Sequence, residues 1–242
     1  IMAQLLSNAG FEVMVLTGGY KTFRQFVLKQ FEVTYPVQII SGLTGSGKTE
    51  LLQALKNAGE QVIDLEKLAS HKGSAFGALG LPPQPTQEQF ENELALQLFT
   101  IDVNRPVFME DESRSIGSMV LPEAVWNQMR EAEYYEIQVP FEQRVQRIIS
   151  EYGDFPKHIL AEKTMQLKER LGDKRAHELV EILHNNEMRA WVEGLFEYYD
   201  KTYNYGRSKR PLLKKFIIPV VDIHDAVAFL NEVKKQKGAK AP

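Results

Sequence analysis

Val37-Gln38-Ile39-Ile40-Ser41-Gly42-Leu43-Thr44-Gly45-Ser46-Gly47-Lys48-Thr49-Glu50-Leu51-Leu52-Gln53-Ala54-Leu55-Lys56 is the stretch that decides the fold. Val37 to Ile40 reads as a buried strand, and Glu50 to Lys56 as the helix that leaves the turn. Between them, Gly42 to Thr49 fits the phosphate-loop pattern G-x-x-x-x-G-K-[ST] without a mismatch. Each residue type has a mechanical job. The glycines let the backbone turn tightly, so that Gly42, Thr44, Gly45, Ser46 and Gly47 aim N–H groups at phosphate oxygens. Lys48 reaches the terminal phosphate, and Thr49 offers a hydroxyl to a magnesium ion if one is used. The helix N-terminus adds partial positive charge. A ligand with phosphates is expected here.

Working outward, residues 36 to about 140 alternate strand and helix, the pattern of a parallel sheet covered on both faces. Candidate strands are Val37 to Ile40, Gln61 to Leu65, Pro106 to Met109 and Tyr135 to Val139. From Phe141 to about Tyr205 the apolar residues recur at three- and four-residue steps, as Leu160, Thr164, Leu167 and Leu171 illustrate. That region predicts a helical insertion or lid beside the sheet. Phe216 to Val221 is expected to return to the sheet, as an edge strand or a broken one because it contains Pro219, and a helix from Asp225 to Lys235 follows. Before the sheet, Met2 to Ala9 predicts a helix, Phe11 to Leu16 a short strand, and Lys21 to Gln30 a second helix. Residues 1 to about 35 thus read as the end of another α/β domain, and 36–242 as the phosphate-loop domain.

The 242 residues are 43% hydrophobic and 25% charged, an ordinary globular composition. A net charge of −3 excludes global attraction to nucleic acid, so RNA contact must use local basic patches. No apolar run approaches the roughly twenty residues of a membrane span, and the N-terminus lacks signal-peptide features. With no cysteine, disulfides and thiolate chemistry are absent. The expected location is the cytoplasm.

Five groups of residues outside the loop are candidates for chemistry. Glu110-Asp111-Glu112-Ser113-Arg114 follows a strand, where phosphate-loop enzymes place an acid that holds magnesium or orients a water. Glu110 and Glu112 face one side in an extended segment, and Arg114 would neutralise phosphate or hold the acids. The alternative is a solvated acidic turn. Asp64 and Glu66 end the preceding strand, within range of a ligand or as caps of the next turn. His71-Lys72-Gly73-Ser74-Ala75-Phe76-Gly77 would present donors from His71, Lys72 and Ser74 and stack a base on Phe76, unless it is a plain surface loop. Arg144 and Arg147 share a helical face, as in the phosphate-clamping lids of small phosphotransferases. Finally, Tyr203, Tyr205, Arg207, Lys209, Arg210, Lys214 and Lys215 mix aromatic and basic residues. Tyr203, Arg207, Lys209 and Arg210 are the RNA-contact candidates, the alternative being a charged loop.

The strings Gly42 to Thr49, Asp64-Leu65-Glu66, His71 to Gly77 and Glu110-Asp111-Glu112-Ser113-Arg114-Ser115-Ile116-Gly117 together resemble bacterial tRNA 2-selenouridine synthases. Val15 to Arg24 is similar to the last strand, turn and helix of the rhodanese domain that precedes the phosphate-loop domain in that family. The resemblance implies a transferase acting on tRNA that carries wobble 2-thiouridine. Geranyl diphosphate would first alkylate the sulfur, and selenophosphate would then supply selenium in place of the S-geranyl group. It implies catalytic roles for Lys48, Glu110, Glu112 and Arg114. The family's rhodanese domain also carries a cysteine for selenium transfer. This chain has none, so the expectation is that the part holding it is missing and that geranylation is the activity left. From the phosphate loop and arginine pair alone, a nucleotide-dependent small-molecule kinase and a non-catalytic nucleotide- or RNA-binding module remain open.

Overall fold

Alternating apolar residues in β1 (Val37–Ser41) send Ile39 to one face of a sheet and Ile40 to the other. The computed structural model describes residues 1–208, 215–219 and 222–239. Its main sheet has five parallel strands in the order β2 (Gln61–Ile63), β3 (Val107–Glu110), β1, β6 (Glu133–Gln138) and β7 (Lys215–Pro219). Four residues of β3 in a row are buried, as a strand covered on both faces requires. One face carries α2 (Gly19–Glu32), α5 (Gln87–Phe99) and α6 (Glu123–Glu131), which bury Val27, Phe31, Phe90, Leu94 and Met129 against Ile39, Ile63 and Met109. The other carries α3 (Lys48–Asn57) and α12 (Ala226–Ala239), which bury Leu51, Leu55 and Phe229 against Ile40, Phe108 and Tyr135. This is the phosphate-loop α/β architecture expected from the sequence, with β7 at the edge and Pro219 at its end.

A third core belongs to the helical region. It comprises α7 (Phe141–Tyr152), α8 (Lys157–Gln166), α9 (Lys168–Leu171), α10 (Asp173–His184) and α11 (Met188–Ser208). Leu160, Leu179, Leu183, Trp191 and Leu195 pack there, and the Trp191 indole N–H donates to the buried Thr164 hydroxyl at 3.1 Å. The short α4 (Leu65–Ala69) follows β2, and an antiparallel hairpin of β4 (Ser115–Ile116) and β5 (Met119–Val120) follows β3. The sequence did not announce that hairpin, because two-residue strands carry no periodicity.

One early expectation changes. Helix α1 (Met2–Asn8) forms, but Phe11 to Leu16 is not a strand, and Phe11, Met14, Val15 and Leu16 are exposed. Apolar alternation makes a strand only where another strand pairs with it, and none does among the described residues. Helix α2 is tied into the sheet domain by Arg24, whose guanidinium donates to Asn92 at 2.6 Å and Glu91 at 2.5 Å.

Candidate active site

In an open parallel sheet, ligands collect beyond the carboxyl ends of the strands where the strand order reverses. Here β1 lies between β3 and β6, and the chain leaves it through Gly42 to Thr49 into α3. Gly47 has φ +81°, a conformation that a side chain would strain, and it starts α3 with its free N–H groups beside the cavity. Lys48 folds back so that its ammonium donates to the Gly42 carbonyl at 3.1 Å. Ser46 is buried, and its hydroxyl has no hydrogen-bond partner among the described residues.

The loop is braced from the helical region. Arg144 of α7 is 4% exposed, and its Nε donates to the Thr44 carbonyl at 2.8 Å. Its remaining guanidinium nitrogens bind Asp200 of α11 at 2.6 and 3.0 Å, and its charge lies 4.5 Å from the Phe196 ring centroid. Arg144 acts here as a support of the loop, because each of its three guanidinium nitrogens already donates to a protein acceptor. Arg147 donates to the Gly45 carbonyl at 2.8 Å and pairs with Glu50 at 3.0 Å, yet it still lines the cavity.

Opposite the loop stand the acids. Glu110 ends β3, fully buried, with one carboxylate oxygen unpartnered. Carboxylate oxygens of Glu66, Glu110 and Glu112 lie within 4.8 Å of one another. The Thr49 hydroxyl reaches Glu66 at 3.3 Å and Glu110 at 3.4 Å. Burial, reinforced by the neighbouring carboxylates, pushes Glu110 well above the usual carboxylate range and Glu112 up to about 8. Glu66 is also raised, chiefly by burial, while the Lys48 charge opposes the shift. A buried, unpartnered carboxylate oxygen beside two more acids and a hydroxyl suits a hard divalent cation, which binds oxygen ligands. Asp64 fits both readings: it caps α4 by accepting from the Lys67 N–H at 2.8 Å and also lines the cavity, where Glu66 faces the cluster.

One cavity of about 1090 Å³ joins these parts. Its lining includes the phosphate loop, Glu66, Glu110, Glu112 and Lys72. The same cavity is bounded by the apolar residues Phe76, Ile148, Trp191, Val192, Leu195 and Phe196, of which all but Ile148 are nearly fully buried. Lys72 is ion-paired with Glu151, and Ser74 lines the cavity. Lys48 has no ion-pair partner among the described residues, which leaves it the cation best placed to receive an anionic ligand.

Several sequence expectations are corrected here. Phe76 is 4% exposed and packs edge-on to Trp191 at 5.5 Å, so its ring belongs to the helical core and is not open to stack a base. His71 does not line the cavity; its Nδ1 accepts from the Gly73 N–H at 3.1 Å, and burial with the nearby Lys163 charge lowers its proton affinity. Arg114 is also outside, exposed before the β4–β5 hairpin and 3.9 Å from Glu123. Tyr203 points inward to the phosphate loop, where its hydroxyl accepts from the Gly42 N–H at 2.9 Å. Lys209, Arg210 and the side chain of Arg207 lie outside the described residues. Sequence reasoning missed Asp200, Glu151 and Tyr203's inward role, since nothing local marks a partner 50 to 160 residues away.

The profile of the tRNA 2-selenouridine synthase AAA domain matches residues 35–236. The chain belongs to the tRNA 2-selenouridine synthase family. It is 42% identical to a tRNA 2-selenouridine synthase of Nitrosomonas eutropha over 63% of this chain and 40% of that one. It is 32% identical to a tRNA 2-selenouridine synthase of Shewanella denitrificans over 96% of this chain and 70% of that one. The chain thus spans less than half of the first relative's length. Among solved structures it is similar to a gluconokinase from Sinorhizobium meliloti 1021, at 11% identity and a TM-score of 0.38 over 86% of this chain and 97% of that one. No described helix is long and apolar enough to cross a membrane.

Proposed function

We propose that this chain transfers a geranyl group from geranyl diphosphate to the sulfur of wobble 2-thiouridine in cytoplasmic tRNA. The observation that carries this reading is a single cavity bounded both by the phosphate loop and by apolar side chains of the helical region. A nucleotide needs the first but not an extended hydrocarbon wall, whereas a prenyl diphosphate needs both. In the reaction a C–S bond forms, the C–O bond to diphosphate breaks, and the proton on N3 of the base is released. Diphosphate leaves with the electron pair. Lys48 and the loop N–H groups stabilise that developing charge, which is where such donors lower a barrier most. If Mg²⁺ is used, Thr49, Glu66, Glu110 and Glu112 would hold it, and it would neutralise the departing diphosphate.

Selenium from selenophosphate would then form a C–Se bond at C2 as the C–S bond breaks and geranylthiol leaves, and hydrolysis of the Se–P bond would release phosphate to give 2-selenouridine. Because this chain contains no cysteine, that step is assigned to the larger assembly of the family and not to this chain alone. The test is to incubate the protein with 2-thiouridine tRNA and geranyl diphosphate and weigh the released nucleosides. An S-geranyl nucleoside is expected from the wild type, and at least a hundredfold less from Lys48→Ala, the scale on which single charge-stabilising donors act (~10²–10³). Equal product from the Lys48→Ala protein would remove the loop from the reaction.

A further inference from the structure

We infer that Tyr203 is a positioning residue that fixes the phosphate loop through Gly42 and thereby places Lys48. This rests on the reading of Gly42 to Thr49 as a diphosphate grip. Tyr203 lies near the end of α11, yet its hydroxyl reaches across to the first residue of the loop. It accepts from the Gly42 N–H at 2.9 Å, donates to Asp111 at 3.2 Å and meets the Ser41 hydroxyl. Ser41 is fully buried and donates to the same Asp111 carboxylate at 2.9 Å. The Gly42 carbonyl, on the other side of the same α-carbon, receives the Lys48 ammonium at 3.1 Å. Gly42 is therefore held on its N–H side by Tyr203 and on its carbonyl side by Lys48.

Gly42 has little room to settle elsewhere. A Cβ added there would fall 2.5 Å from the Ser46 hydroxyl and 2.8 Å from Ile137. One turn before Tyr203, Asp200 of the same helix holds Arg144, which holds the Thr44 carbonyl. Helix α11 thus grips the loop at two points, while its earlier turns supply Trp191, Val192, Leu195 and Phe196 to the apolar wall. One helix sets both halves of the cavity, and Tyr203 is its contact with the end of β1. Arg144 and Asp200 form a charged brace. Tyr203 adds a neutral hydroxyl where the loop begins, so its removal shifts ligand affinity without stripping charge.

Tyr203→Phe removes the hydroxyl and keeps a ring that could stack on RNA. Calorimetric titration with inorganic diphosphate should show about tenfold weaker binding, the size of one hydrogen bond's net contribution. The KM for geranyl diphosphate should rise by a similar factor, while affinity for 2-thiouridine tRNA is unchanged. Unchanged diphosphate affinity, or weakened tRNA binding alone, overturns the inference. Lys48→Ala is measured beside it. If that variant also binds diphosphate normally, the grip itself is misread; if it fails while Tyr203→Phe binds normally, only the role of Tyr203 falls. Should Tyr203→Phe not fold, hydrogen exchange on the wild type reads the same contact. The Gly42 amide is expected to be protected with and without diphosphate, and exchange at the rate of an open loop contradicts the inference.

Discussion

At the scale of single residues, the site's chemistry lies in carboxylates that folding has made unwilling to ionise. Glu112 at about 8 and Glu110, held well above the usual carboxylate range, bind protons in the folded chain that they release on unfolding near neutral pH. Where the folded state binds more protons, stability falls as pH rises. For Glu112 that window runs from the ordinary carboxylate value of about 4.5 up to about 8. Ligand-free protein should therefore melt at lower temperature at pH 8 than at pH 5. Glu112→Gln should raise Tm at pH 8 and leave it nearly unchanged at pH 5, by roughly 2–4 °C for each kcal/mol relieved. A Tm that climbs with pH in the wild type and ignores the substitution contradicts the cluster's burial. The acids themselves were legible in the sequence, since Glu110 and Glu112 follow an apolar strand. Their meeting with Glu66 was not, because it depends on α4 turning Glu66 back over the strand ends while Asp64 caps the helix.

At the scale of elements, α7 and α11 do the work expected of a lid by holding the loop as well as by lining the cavity. Arg144→Ala would leave Asp200 without its partner and the Thr44 carbonyl without its donor. Breaking a buried ion pair in this way costs about 3–5 kcal/mol. A urea melt should show that loss as a lower midpoint, and diphosphate affinity should fall with it. Arg147→Ala should weaken diphosphate binding with a smaller loss of stability, because Arg147 is less buried and faces the cavity. The three-residue spacing of the two arginines showed that they share a helical face. It did not show that Arg144 would be consumed by Asp200. Phe76 teaches the same lesson. In a Gly- and Ser-rich stretch it looks like an exposed stacking ring, and only the helices brought over it from residues 141–205 bury it. The apolar runs of β1, β3 and β6 were readable because strands buried on both faces carry their signal locally.

At the scale of the whole molecule, the sheet supplies a phosphate grip and a patch of acid, and the helical region supplies an apolar wall to the same space. On the function proposed above, that combination suits a prenyl diphosphate better than a nucleotide. Neither the phosphate loop nor the helical periodicity could state it alone, because the wall exists only once α7 and α11 are folded against the loop. The most direct measurement is calorimetric titration of the protein with geranyl diphosphate, inorganic diphosphate and ATP at several temperatures. Geranyl diphosphate should bind at least tenfold more tightly than inorganic diphosphate and with a more negative heat-capacity change, the mark of buried apolar surface, while ATP is not turned over. Equal affinity for the two diphosphates, or hydrolysis of ATP, would contradict the account.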